Sequence, residues 1–167
     1  MRNAFVYLRQ AHVAYIRAVG PYALSSREAW AAVMAWLERS GTRRATGCGY
    51  GLLLDNPKTT TPEKCRYDAC IVVDEAHREL LTADFGFRRL PGGAFARKRH
   101  SGSIDAIGSV IAELRDNWVA MNGLQLDPGR PLIEIYMQDP KTVPAERLRV
   151  DICVPIKAEF CEGQSAA

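Results

Sequence analysis

The sequence predicts an α+β fold made of two strand–helix–strand–strand modules related by a pseudo-twofold axis, with antiparallel sheets and a central ligand cleft. Three observations predict it. Residues 56–73 (NPKTTTPEKCRYDACIVV) and 139–156 (DPKTVPAERLRVDICVPI) align without a gap, with identities at seven of 18 positions. The same order of elements precedes each copy. A lone module of this kind also buries too little apolar surface to be stable, so two must share a core.

The elements follow in order. His12 to Val19 is apolar and aromatic and reads as a strand, which Gly20-Pro21 ends. Ser25 and Glu28 have capping-box spacing, predicting a helix from there to about Ser40, with Trp30, Val33, Met34 and Leu37 on one face and Gly41 as its stop. Strands are expected over about Gly49–Leu54 and Arg66–Val73. The second copy repeats the pattern. Ala94–His100 is a strand and Gly102 stands where Gly20 stands. Ser103 caps a helix whose stripe is Ile104, Ile107, Ile111, Leu114 and Trp118, and Gly123 ends it. Strands over Leu132–Met137 and Leu148–Ile156 close the copy. This gives one domain over 1–167: a first module at about 10–75, a linker at about 76–90 bending at Pro91-Gly92-Gly93, a second module at about 91–157, and a frayed tail at 158–167.

Composition narrows the function classes. At 47% hydrophobic and 25% charged, with net charge +3, the chain is neither disordered nor strongly basic. In a strand, the run Arg97-Lys98-Arg99-His100 alternates faces and reads as solvated surface rather than a nucleic-acid contact. Five cysteines without CxxC or metal-ligand spacing indicate a reducing compartment. With no apolar run long enough to span a membrane and no signal-peptide core at the start, a cytoplasmic protein is expected. The three histidines are dispersed, there is no phosphate-binding loop, and no metal or cofactor is predicted.

The copies differ where function is expected. In Leu132–Met137, Ile133, Ile135 and Met137 form one face, read as packing on a helix, and Leu132, Glu134 and Tyr136 form the other. In the first copy Gly51 stands for Glu134 and Leu53 for Tyr136. A glutamate flanked by isoleucines is costly to desolvate unless paired. It is either solvated or salt-bridged on an open sheet face, with Arg149 or Arg66 as partner, or a carboxylate in an aromatic-lined cleft suited to a cation.

The segments GPY (20–22), YGLLLDNP (50–57), CRYDACIVV (65–73), LPGGAFA (90–96), the region of Trp118, and RPLIEIYMQDP (130–140) resemble the GyrI-like (gyrase-inhibitor-like) small-molecule-binding family over about His12 to Ile156. The resemblance implies a duplicated module and a ligand site at Glu134, Tyr136, Trp118 and Tyr22, with Gly51 providing room opposite. It implies capture of lipophilic, cationic compounds. Two alternatives stay open: hydrolysis of cyclopropane-bearing toxins with Glu134 and Tyr136 as the catalytic pair, and interaction with DNA gyrase or a role accessory to transcription regulation. With about ten residues ahead of the first predicted strand, no helix-turn-helix is expected. The sequence leaves the ligand's identity and the oligomeric state open.

Overall fold

The computed structural model describes residues 3–41, 48–73, 78–139 and 142–158. Among these, eight strands form a single antiparallel sheet: β1 (Ala4–Leu8), β2 (Ala11–Val19), β3 (Gly49–Leu53), β4 (Arg66–Ile71), β5 (Gly86–Leu90), β6 (Gly93–Ser101), β7 (Leu132–Tyr136) and β8 (Arg149–Pro155). The order is β1-β6-β8-β7-β3-β4-β2-β5. The expected separate sheets are therefore one, joined where β3 pairs with β7. Outward from that junction the order runs β7-β8-β6 on one side and β3-β4-β2 on the other, and each side ends in an extra strand.

Those extra strands were not anticipated. β1 lies in the ten residues ahead of the first predicted strand, and β5 lies in the stretch read as a linker. Both are short edge strands, and β5 carries Arg88 and Arg89, so period-two hydrophobicity is weak there. The predicted tail falls outside the described residues beyond 158.

The sheet must curl. β1 is at one end of the order and β2 is next to the other end, yet only Arg9 and Gln10 join them. Six strand spacings in a flat sheet span about 29 Å, whereas three Cα steps reach about 11 Å. The link between β5 and β6, Pro91-Gly92, imposes the same closure. The two links touch: a Cβ on Gly92 would sit 3.1 Å from the Gln10 amide nitrogen.

Each face of the curled sheet has its own core. One buries Leu52, Cys70, Phe95, Ile133 and Cys153 with no helix residue, so the sheet's own curl encloses them. The other packs against α1 (Tyr22–Ser40) and a second helix. The faces of β7 are thus the reverse of the expectation. Ile133 and Ile135 face the sheet's interior, and Leu132 and Tyr136 face the helices. Alternation separates two sets of residues but does not say which set the helices cover.

α1 begins three residues before the predicted cap. Pro21 is its N-cap, and Ser25 donates to the Gly20 carbonyl instead of forming a capping box. Gly41 ends it in the left-handed conformation, as expected. Gly20 (φ 146°) and Gly102 (φ 122°) turn the chain out of β2 and β6 at backbone angles that favour glycine, and each amide is bonded to the carbonyl just before the strand paired there, Cys65 before β4 and Leu148 before β8.

The second helix changes pitch. α2 (Ile107–Ala112) runs into a π-helical segment, Glu113–Trp118, and returns to α geometry over Val119–Met121. The predicted stripe holds through Ile107, Ile111 and Leu114. The wider π turn then rotates Val119, rather than Trp118, into the core. Trp118 is left half-buried on the core's margin.

Charged residues staple the sheet. Asp68, fully buried, accepts from Arg17 at 2.6 and 2.9 Å and from Arg88 at 2.6 Å. Asp151 accepts from Arg99 at the same 2.6 and 2.9 Å, with Arg97 at 3.6 Å. The basic run of β6 is therefore committed within the fold: Arg97 and Arg99 to Asp151, Lys98 to Glu113, and His100 to the Ser103 carbonyl.

Candidate functional site

Adjacent strands β7, β3 and β4 build the site on the helix-covered face. β7 supplies Glu134 and Tyr136, and β4 supplies Tyr67. Glu134 pairs across the sheet with Gly51 of β3. The Tyr67 ring passes over that glycine and donates its hydroxyl to Glu134 Oε2 at 2.7 Å. Tyr136 donates to the same oxygen at 2.9 Å. From α1, Trp30 donates its indole N–H to the Tyr67 oxygen at 2.9 Å and meets the Tyr136 ring edge-on, with centroids 5.3 Å apart. Gly49 gives Trp30 its place, since a Cβ there would lie 2.6 Å from the indole.

Glu134 is only 4% exposed and forms no ion pair among the described residues. Neither arginine considered as its partner reaches it. Arg66 is held by Asp55, and Arg149 is exposed at the start of β8. Burial raises the Glu134 pKa above its ordinary value near 4.5, and the two phenol hydrogen bonds oppose that rise. Tyr67 and Tyr136 are pushed well up by burial and then by the Glu134 charge, so both keep their protons.

The sign of the pH effect follows. The folded pKa exceeds the unfolded one, so the native state binds the proton more tightly, and this contribution to stability is lost as pH rises through the folded pKa. In denaturant titrations at stepped pH, the wild type is expected to gain stability relative to Glu134→Gln as pH falls from neutral toward 4.5.

Above these residues, a cleft of about 960 Å³ lies between the two helices, lined by Tyr22, Trp30 and Met34 from α1, Ile107, Ile111 and Arg115 from the second helix, and Glu134 and Tyr136 from the floor. The structure thus brings three of the sequence-derived candidates, Glu134, Tyr136 and Tyr22, to one cavity. Tyr22 presents its ring, but its hydroxyl is engaged with both the carbonyl (2.7 Å) and the amide (2.9 Å) of Asp55.

Two candidates do not line it. Gly51 clears space for the Tyr67–Glu134 bond rather than for a ligand, because a Cβ there would lie 2.1 Å from the Tyr67 hydroxyl. Trp118 is kept off the cleft by the π turn. Trp118→Ala is therefore expected to change ligand affinity less than about twofold in a dye titration, as for a residue outside the site. Tyr67 and Trp30 were missed as site residues. The comparison that singles out Glu134 against Gly51 also sets Tyr67 against Val150, and it was a usable signal.

The sequence matches the GyrI-like small molecule binding domain over residues 2–157. The chain belongs to the GyrI-like small-molecule-binding family. A curated relative, the SPbeta prophage-derived putative transcriptional regulator YosT of Bacillus subtilis (strain 168), is 29% identical over 141 residues, covering 81% of this chain and 89% of the relative. Among solved structures, this GyrI-like domain resembles EcmrR in a complex with DNA (TM-score 0.71, 16% identity, covering 93% of this chain and 57% of that one). It also resembles SAV2435 bound to tetraphenylphosphonium (TM-score 0.60, 13% identity, covering 95% of each chain). At those identities the likeness is one of fold. Among the described residues, no helix of this GyrI-like domain is long and apolar enough to cross a membrane.

Proposed function

We propose that the cleft captures lipophilic organic cations, with Glu134 as counter-charge and Trp30, Tyr136 and Tyr22 as aromatic surface. One observation carries this reading: a carboxylate buried at the floor of a largely apolar cleft has two phenols on one oxygen and, among the described residues, no cation of its own. Such a charge is costly until a positive ligand arrives, and the attraction is strong where water is excluded. Apolar contact with the helices adds affinity, and aromatic faces favour a cation further. The tetraphenylphosphonium bound by the SAV2435 neighbour is a ligand of this kind.

The test is a fluorescence-anisotropy titration with a cationic rhodamine. Glu134→Gln keeps the shape and removes the charge, and it is expected to weaken binding at least about 30-fold, the lower end of what losing one partner of a buried charge pair costs. Equal affinities would sink the reading.

The same geometry favours one second reading, ring-opening hydrolysis. Oε1 of Glu134 has no hydrogen-bond partner among the described residues and is placed to take a proton from water, with the Tyr136 phenol beside it. Mass spectrometry of recovered ligand after incubation separates the two: unchanged ligand supports capture, and a product heavier by one water supports hydrolysis.

A further inference from the structure

We propose that the face of the sheet opposite the cleft docks an acidic segment of a partner protein, with Arg149 as its open anchor. The inference is independent of what the cleft binds.

Strand alternation and register place six arginines on that face: Arg17, Arg66, Arg88, Arg97, Arg99 and Arg149. Asp68 and Asp151 share it, and Asp55, just past β3, holds Arg66. Among the described strand residues the six arginines thus meet three carboxylates, an excess of three positive charges. The whole chain carries +3, so its remaining charges balance and the excess lies here. Pairing does not cancel it. Asp68 is shared by Arg17 and Arg88, and Asp151 by Arg97 and Arg99. One carboxylate neutralises one guanidinium of each pair, and every one of these arginines keeps part of its side chain in water.

The two copies of the repeat differ at this surface. In the first, Asp55 accepts from the Arg66 amide (2.8 Å), its Nε (2.9 Å) and its Nη2 (2.8 Å). In the second, Gln138 stands for Asp55 and Arg149 for Arg66. Gln138 Oε1 still accepts from the Arg149 amide at 3.1 Å, but it brings no charge. Arg149 is exposed and forms no ion pair among the described residues. An open guanidinium beside a half-neutralised pair suits an incoming carboxylate, which it can grip with two hydrogen bonds.

A peptide complements this face better than a nucleic acid does. The Tyr15 ring has Arg17 and Arg88 at 5.3 and 5.9 Å from its centroid, Tyr50 packs against the core, and Phe95 is fully buried. None of these rings is exposed for bases to stack on. The exposed apolar groups are aliphatic instead: Val19, opposite Arg66, and Met137, whose sulfur meets Arg99. Acidic residues interspersed with apolar ones match that mixture.

The experiment follows the fluorescence anisotropy of three probes with the full chain at neutral pH: a fluorescein-labelled peptide alternating glutamate with leucine, its glutamine counterpart, and fluorescein-labelled oligo-dT. Each peptide has about twelve residues, enough to span in extended form the ~24 Å of five strand spacings between β2 and β6. The glutamate peptide is expected to bind at least about tenfold more tightly than the glutamine peptide. Its affinity should fall at least about fivefold between ~50 and ~300 mM NaCl. Arg149→Glu turns an attraction into a repulsion and is expected to weaken the glutamate peptide at least about tenfold. The urea midpoint should stay at the wild-type value, because this side chain is exposed and unpaired. Gln138→Asp gives Arg149 the carboxylate that Arg66 has, and is expected to weaken the same peptide at least about threefold. Equal binding of the two peptides, binding of neither, or tighter binding of oligo-dT overturns the proposal. So does glutamate-peptide binding that neither substitution weakens.

Discussion

Gly51→Ala is expected to destabilise the fold by about 3 kcal/mol, the upper part of the range for overpacking a closed core, and to abolish high-affinity ligand binding. The added methyl would lie 2.1 Å from the Tyr67 hydroxyl and 2.4 Å from Glu134 Oε2. Neither can retreat easily. Tyr67 is fully buried under α1, and Glu134 is fixed by its two phenols. Relief requires the Tyr67 ring to leave Oε2, which frees a buried carboxylate oxygen and also loosens the tyrosine's bond to Trp30. Urea unfolding measures the loss of stability, and the rhodamine titration below the shifted midpoint measures the loss of binding. A variant of wild-type stability with intact affinity would show that β3 can move away from β7, contrary to the close packing of Tyr67 and Glu134 on Gly51.

Asp68→Ala is expected to cost a similar amount, about 3 kcal/mol, with the opposite functional signature. Its carboxylate lies on the enclosed face of the sheet and ties β4 to Arg17 of β2 and Arg88 of β5. Removing it leaves two arginines without their counter-charge, one of which already has a sealed, unpartnered Nε. Asp68 does not line the cleft, so the folded variant should bind the dye within about twofold of wild type. Asp151→Ala should cost less, because its partners Arg97 and Arg99 are 37% and 41% exposed, whereas Asp68 also holds Arg88, which is 26% exposed and has the sealed Nε. Denaturant titrations of the three variants, paired with dye binding, separate damage to the site from damage to the scaffold.

What could be read in advance tracks the kind of physics involved. The helices and six of the strands have strong periodicity or glycine punctuation, and they were legible. β1 and β5 are held by pairing across the curl, a long-range contact that leaves little local mark. Glu134 was legible because a charge between two isoleucines violates a local pattern. Its setting was not, because Tyr67 and Trp30 reach it from other elements, and their convergence depends on glycines at 49 and 51 acting as openings. Trp118 shows the reverse case. Its spacing fits an ideal α-helix, and one π turn suffices to move it aside.

The exchange of edge strands also bears on how the chain is made. β1, which precedes the other seven strands in the chain, pairs with β6, while β5, which precedes β6 in the chain, pairs back with β2. Neither end of the sheet is therefore completed by its own stretch of sequence. Ala4 must wait for Arg97, and Gly51 for Glu134, so the candidate site cannot exist on a nascent chain that stops short of β7. Such non-local pairing slows folding, and a polypeptide ending near residue 75 would present an unmatched β3 edge prone to association with other chains.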